Sequence, residues 1–89
     1  RPSRPSPERL RLMRSLATYA ADRDRADAVD WSELALLEAR KIGDPIRIAE
    51  AEGVVGRIAE RRSEWAKAEK HLAQAVAQAE KVRGVVGFD

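Results

Sequence analysis

Shifted by 40 positions against itself, the chain sets Ala26 on Ala66, Ala28 on Ala68, Ala35 on Ala75, Ala39 on Ala79 and Lys41 on Lys81. Leu36 then meets Val76, Ile42 meets Val82, and Asp24 falls on Glu64, one residue past Ser63. A period of this length is the mark of a stacked-repeat architecture, in which one supersecondary unit cannot bury its apolar face alone. Within each copy the apolar residues recur at helical spacing. The expected fold is therefore all-α: four antiparallel helices arranged as two stacked helical hairpins.

The punctuation of the chain agrees. Ser6-Pro7-Glu8 starts a first helix over residues 7–22, with a cap, a proline at the first position and an acid at the positive end of the dipole. Asp22-Arg23-Asp24 is a turn, and Asp24 is expected to cap a second helix over residues 25–42. Gly43 closes that helix, and Asp44-Pro45 opens a third over residues 45–61 or 62. Ser63 is expected to cap a fourth, over residues 64–83, whose stripe is Trp65, Ala68, Leu72, Ala75, Val76, Ala79 and Val82. Gly84 is expected to end it, so residues 84–89 read as a tail or the start of another repeat. Residues 1–7, with three prolines, read as a disordered linker. The hairpins then span residues 8–43 and 44–83.

Composition narrows the function classes. The chain has 89 residues, enough for one domain with a thin core. Sixteen residues are alanine and only 4% are aromatic, so close helix contacts replace large rings. Alanine lets two helices approach without a penalty in helix propensity, whereas Gly56, inside a helix, costs about 1 kcal/mol and implies a helix lying against it. Seventeen cations against 15 anions give no strongly basic surface. The arginines of the arm, Arg1 and Arg4, offer at most weak, salt-sensitive attraction to nucleic acid, so direct nucleic-acid binding is not expected. Without cysteine there is neither a disulfide framework nor a thiolate metal site. No apolar run reaches the roughly 20 residues of a membrane span, and nothing resembles a signal peptide; a cytoplasmic setting is expected. The chain begins at Arg1, which suggests a processed product or a fragment.

The second hairpin carries Gly56, Ala68 twelve residues on, Ala75 seven after that, Leu72 between them and Trp65 ahead. The first carries Tyr19, Ala28 and Ala35, with Leu16 where the glycine would fall. This pattern resembles the tetratricopeptide repeat, over roughly residues 8–83. It departs from the family in a period near 40 rather than about 34, in Glu52 and Ser32 where large residues are usual, and in Leu16. The longer period resembles the extended repeats of large bacterial signal-transduction and transcription regulators. The resemblance implies that the inner faces of the first and third helices bind a peptide or protein partner. Those faces would offer Leu10, Met13 and Ala17 in the first hairpin, and Glu50, Arg57, Glu60 and Arg61 in the second. Arg57 and Arg61 would receive an acidic segment through the fork geometry of guanidinium and carboxylate. That Arg57 and Glu60 simply pair with each other stays open. The paired asparagines and lysines with which some of the family clamp a terminal carboxylate are absent.

No catalytic set emerges. His71 has no serine or cysteine at a helical step and reads as structural. One histidine with scattered acids does not make a zinc-type ligand set, and Gly53-Val54-Val55-Gly56 lacks the spacing and lysine of a phosphate loop. No cofactor is expected. Trp65 reads as a packing residue, while Trp31 is balanced between packing and an exposed anchor. Stability in a stacked array usually takes about three repeats, so two hairpins should leave an apolar end that needs a cover. The expectation is a non-enzymatic interaction module of a larger bacterial regulator that self-associates, as a two-fold dimer; the alternative is a structural oligomerisation segment with no ligand of its own.

Overall fold

Short-range chemistry decides where the chain enters two of its helices. Helix α1 spans Pro7–Asp22. Ser6 Oγ accepts the Arg9 N–H at 3.1 Å, and Pro7 occupies the first position, where its missing N–H is no loss. Helix α2 spans Asp27–Ile42 and ends on Gly43 at φ +84°, a left-handed conformation that glycine adopts without strain. Asp44 then accepts the Ile46 N–H at 3.0 Å and opens α3, Pro45–Arg61. Helix α4 spans Trp65–Val86. The computed structural model describes residues 4–86, and the side chains of residues 4–83. Residues 1–3 of the expected linker and 87–89 of the expected tail lie outside the described residues. Gly84 does not stop α4: a lone glycine costs a helix only about 1 kcal/mol, and no proline follows it.

Two of the expected caps belong to the other side of their turns. Asp24 and Ser63 have φ of 53° and 60°, and they close α1 and α3 rather than open α2 and α4. The Arg25 N–H reaches the Ala20 carbonyl at 2.9 Å, and the Glu64 N–H reaches that of Ala59 at 2.9 Å. This closure ends a helix on a left-handed residue, whereas an N-cap needs extended backbone. Helix α2 accordingly starts from Ala26 without a side-chain cap, two residues later than expected.

Helix α1 packs on α2 and α3 on α4. The hairpins meet where α3 lies against α2 and touches α1, while the backbone of α4 approaches neither α1 nor α2. The result is an open stack of 41 × 37 × 17 Å, not a bundle whose last helix closes on its first. It is all-α, with no strand among the described residues. Leu10, Ala35, Leu36, Ala39, Ala51 and Val55 form one core cluster; Ala17, Ala20, Ala28, Val54 and Ile58 form the other, with Trp31 packed on its side. A Cβ at Gly56 would lie 2.8 Å from Leu72 Cγ, so the glycine is what lets α4 close on α3.

The turns also fix which residues correspond. Ala20 and Ala59 accept the closing bonds, and Asp24 and Ser63 are the left-handed residues, so the first helices correspond at a shift of 39. Ala17, fully buried, therefore holds in α1 the place of Gly56, and Leu16 is one residue away from it. The second helices keep the shift of 40, with Ala28 and Ala68 both buried. The difference is absorbed at the start of α2, where Ala28 and Val29 donate to carbonyls three residues back at 3.2 and 3.4 Å, a tighter winding. Helix α4 begins with a regular bond from Ala68 to Glu64 at 2.9 Å.

Candidate functional site

Most of α4 has only one neighbour, and its second side is open. Val76 is 59% exposed, and Ala79 is exposed beside it. With Leu72 and Ala75 they form one wall of a groove of about 590 Å³. Ala49, Glu50, Gly53, Val54 and Arg57 of α3 form the other wall, and Arg14 of α1 closes one edge. The floor is apolar and built from small side chains. At the rim, Arg14 and Glu50 pair at 2.9 Å, whereas the Arg57 guanidinium, lying beside Gly53, has no ion pair among the described residues.

This groove has a counterpart inside the chain. At the shifts fixed by the turns, Ala49, Ala75, Val76 and Ala79 correspond to Leu10, Ala35, Leu36 and Ala39. Those four are buried in one cluster with Ala51 and Val55 of α3. On the first hairpin, then, α3 fills the seat between α1 and α2; on the second hairpin the same seat is empty.

The expected partner-binding residues divide between core and surface. Leu10 and Ala17 are buried at 1% and 0% exposure and cannot face a partner, because the first hairpin's seat is already filled. Met13 packs on the first core cluster. Glu50 and Arg57 do come together in the groove. Arg61 lies farther along α3, paired with Asp22 at 3.3 Å and Asp24 at 3.7 Å, and it shares a narrower cleft with Arg57, Thr18 and Asp22. Glu60 is exposed, and no pairing with Arg57 is formed among the described residues. Trp65, expected in the core, is 64% exposed at the first position of α4.

Two buried acids had no signal of their own. Glu52 is 2% exposed and receives Arg40 Nη2 at 2.8 Å and His71 Nδ1 at 2.6 Å. Gln74, its amide nitrogen turned to the carboxylate, adds contacts at 2.9 and 3.2 Å. A carboxylate only accepts, so His71 donates from Nδ1, and this cluster stitches α2, α3 and α4 together. Glu38, 4% exposed, accepts the Ser6 N–H at 2.9 Å with Arg9 nearby at 3.7 Å, fastening the entry of α1 to α2. Away from both, the hydrogen bond from Arg25 holds the Asp27 carboxyl below the ordinary aspartate range and in turn raises the guanidinium. No group of three or more potential metal ligands occurs among the described residues, nor is any helix among them long and apolar enough to cross a membrane.

Compared with known proteins, the chain matches no family model, no curated protein and no solved structure.

Proposed function

We propose that the chain is a non-catalytic protein-interaction module of tetratricopeptide-like hairpins, and that the groove on its second hairpin receives a helix from a protein partner. The observation that carries this reading is the correspondence of the groove with the seat that α3 fills on the first hairpin. Small side chains on the floor admit a helix backbone closely, and Leu72 and Val76 supply apolar area. Arg57 stands at one end of the groove, so the fitting partner is an amphipathic helix with a carboxylate near that end. The buried polar groups support a binding role over catalysis: Glu38 and Glu52 are each engaged in holding helices together, and neither opens onto the groove.

Calorimetry against short amphipathic helical peptides, with the chain held dilute, tests the reading. Peptides with an acidic end should bind with micromolar affinity, peptides with a basic end more weakly. Val76→Glu should abolish the heat, and Arg57→Ala should reduce the preference for the acidic end. Absence of binding by any such peptide, or binding indifferent to Val76→Glu, would overturn it.

A further inference from the structure

Besides a groove that receives a helix, the fold holds a helix face shaped to enter one. At the shift of 39, Leu12, Leu16 and Tyr19 of α1 correspond to Ala51, Val55 and Ile58 of α3, three buried residues at the junction between the hairpins. On α1 the same face is largely uncovered: Leu12 is 61% exposed, Tyr19 54% and Leu16 half-buried, with the Arg23 guanidinium 3.7 Å above the tyrosine ring. One end of the stack thus presents an empty seat, and the other presents the kind of helix face that fills it.

We propose that the occupant of the groove is α1 of a second copy of this chain, so that copies stack head to tail with the relation that α3 already has to the first hairpin. This rests on the groove reading above and names its partner.

Side-chain size supports the pairing. The empty seat has Ala49 where the filled one has Leu10, Gly53 where it has Arg14, and Val76 where it has Leu36. The α1 face has Leu12 where α3 has Ala51, Leu16 where it has Val55, and Tyr19 where it has Ile58. What one surface lacks in bulk at these positions the other supplies; Val54, Arg57 and Leu72, in place of Ser15, Thr18 and Ser32, run the other way.

Charge agrees as well. Inside the chain, Asp22 of α1 pairs with Arg61 of α3 at 3.3 Å. Carried across the stack, the place of Asp22 is taken by Arg61 of one copy and the place of Arg61 by Asp22 of the next. The signs exchange but remain opposite, and Arg57 flanks the same spot. Because the two surfaces differ, the contact is heterologous: it leaves a free seat and a free α1 face at the ends, and it does not close into a two-fold pair.

Sedimentation velocity across a concentration series from micromolar upward tests the arrangement. The unaltered chain should form species that grow beyond a pair. Val76→Glu blocks the seat and Leu12→Glu blocks the α1 face; both positions are exposed, and circular dichroism checks that each variant keeps its helices. Each variant alone should be monomeric at 9.9 kDa, with association weakened roughly tenfold or more. An equal mixture of the two should give a complex of twice that mass and nothing larger. A two-fold dimer would respond to only one of the substitutions, and the mixture would restore nothing; either result overturns head-to-tail stacking. A chain that stays monomeric yet binds the acidic-ended helical peptides overturns it too, but leaves the groove reading standing. Loss of both overturns the groove reading as well.

Discussion

At the scale of single residues, Glu52 carries more consequence than its position in a small hairpin suggests. Its carboxylate is nearly free of water, and its partners come from two other helices: Arg40 from α2, His71 and Gln74 from α4. Glu52→Ala removes the common acceptor. Arg40 is about half exposed and regains water, whereas the His71 side chain is only 15% exposed and does not. The expected loss is therefore about 2 kcal/mol, below the range for a fully buried pair. His71→Ala, which leaves Arg40 and Gln74 in place, should cost about 1 kcal/mol. Urea denaturation followed by circular dichroism reads both, and equal losses would contradict this ranking. Ser63 offers the opposite kind of test. Its left-handed backbone, φ 60°, strains a residue with a Cβ by about 1 kcal/mol. Ser63→Gly relieves that strain and loses part of it to unfolded-chain entropy, for a net gain of about 0.5 kcal/mol. Asp24→Gly should gain less, because aspartate tolerates this conformation better, and the same denaturation assay compares the two.

Between elements, the contact of α3 with α4 hangs on Gly56. Gly56→Ala gains helix propensity worth about 1 kcal/mol and drives a methyl into the branch point of Leu72, 2.8 Å from the new carbon. Overpacking of this kind costs about 1–3 kcal/mol, so the expected net loss is about 1 kcal/mol. Gly56→Ala combined with Leu72→Ala should lose less than the sum of the single changes, since the second makes room for the first. The same contacts show what could be read from the letters alone. Helix starts at Pro7 and Pro45 and the stop at Gly43 were legible, because each residue type there has one local use. The left-handed turns were not, since aspartate and serine serve equally as caps and a positive φ leaves no mark in the sequence. Nor was the one-residue difference between the hairpins, which is hidden in the tight first turn of α2. Periodicity put Val76 and Ala79 on one stripe of α4 with Leu72, and these three do share a wall of the groove, yet a stripe does not reveal whether anything lies opposite it, and Trp65 on the same stripe is exposed. Arg57 was legible only through the resemblance, as part of the inner face of the third helix; it lines the groove between α3 and α4. Leu10 and Ala17 were misplaced because the first hairpin's inner face is covered by the second.

For the whole molecule, an open stack implies that stability depends on what covers its ends. Docking of a further copy stabilises the folded state by mass action, so the thermal midpoint should rise with protein concentration, measured by scanning calorimetry over a hundredfold range (roughly 3 kcal/mol at saturation a hundredfold above the dissociation constant). Val76→Glu should make the midpoint independent of concentration; a midpoint that does not move for the unaltered chain would mean that its ends stay bare. Thickness has a separate effect. A body 17 Å through is two helices deep, a helix with its side chains being about 10 Å across. Every backbone amide then sits within one helix diameter of bulk solvent, so no further layer of helices shields any of them from deuterium uptake. The slowest-exchanging amides must owe their protection to the cooperativity of opening two hairpins together, and severing that cooperativity at the α2–α3 junction should collapse the spread of exchange rates to that of single hairpins.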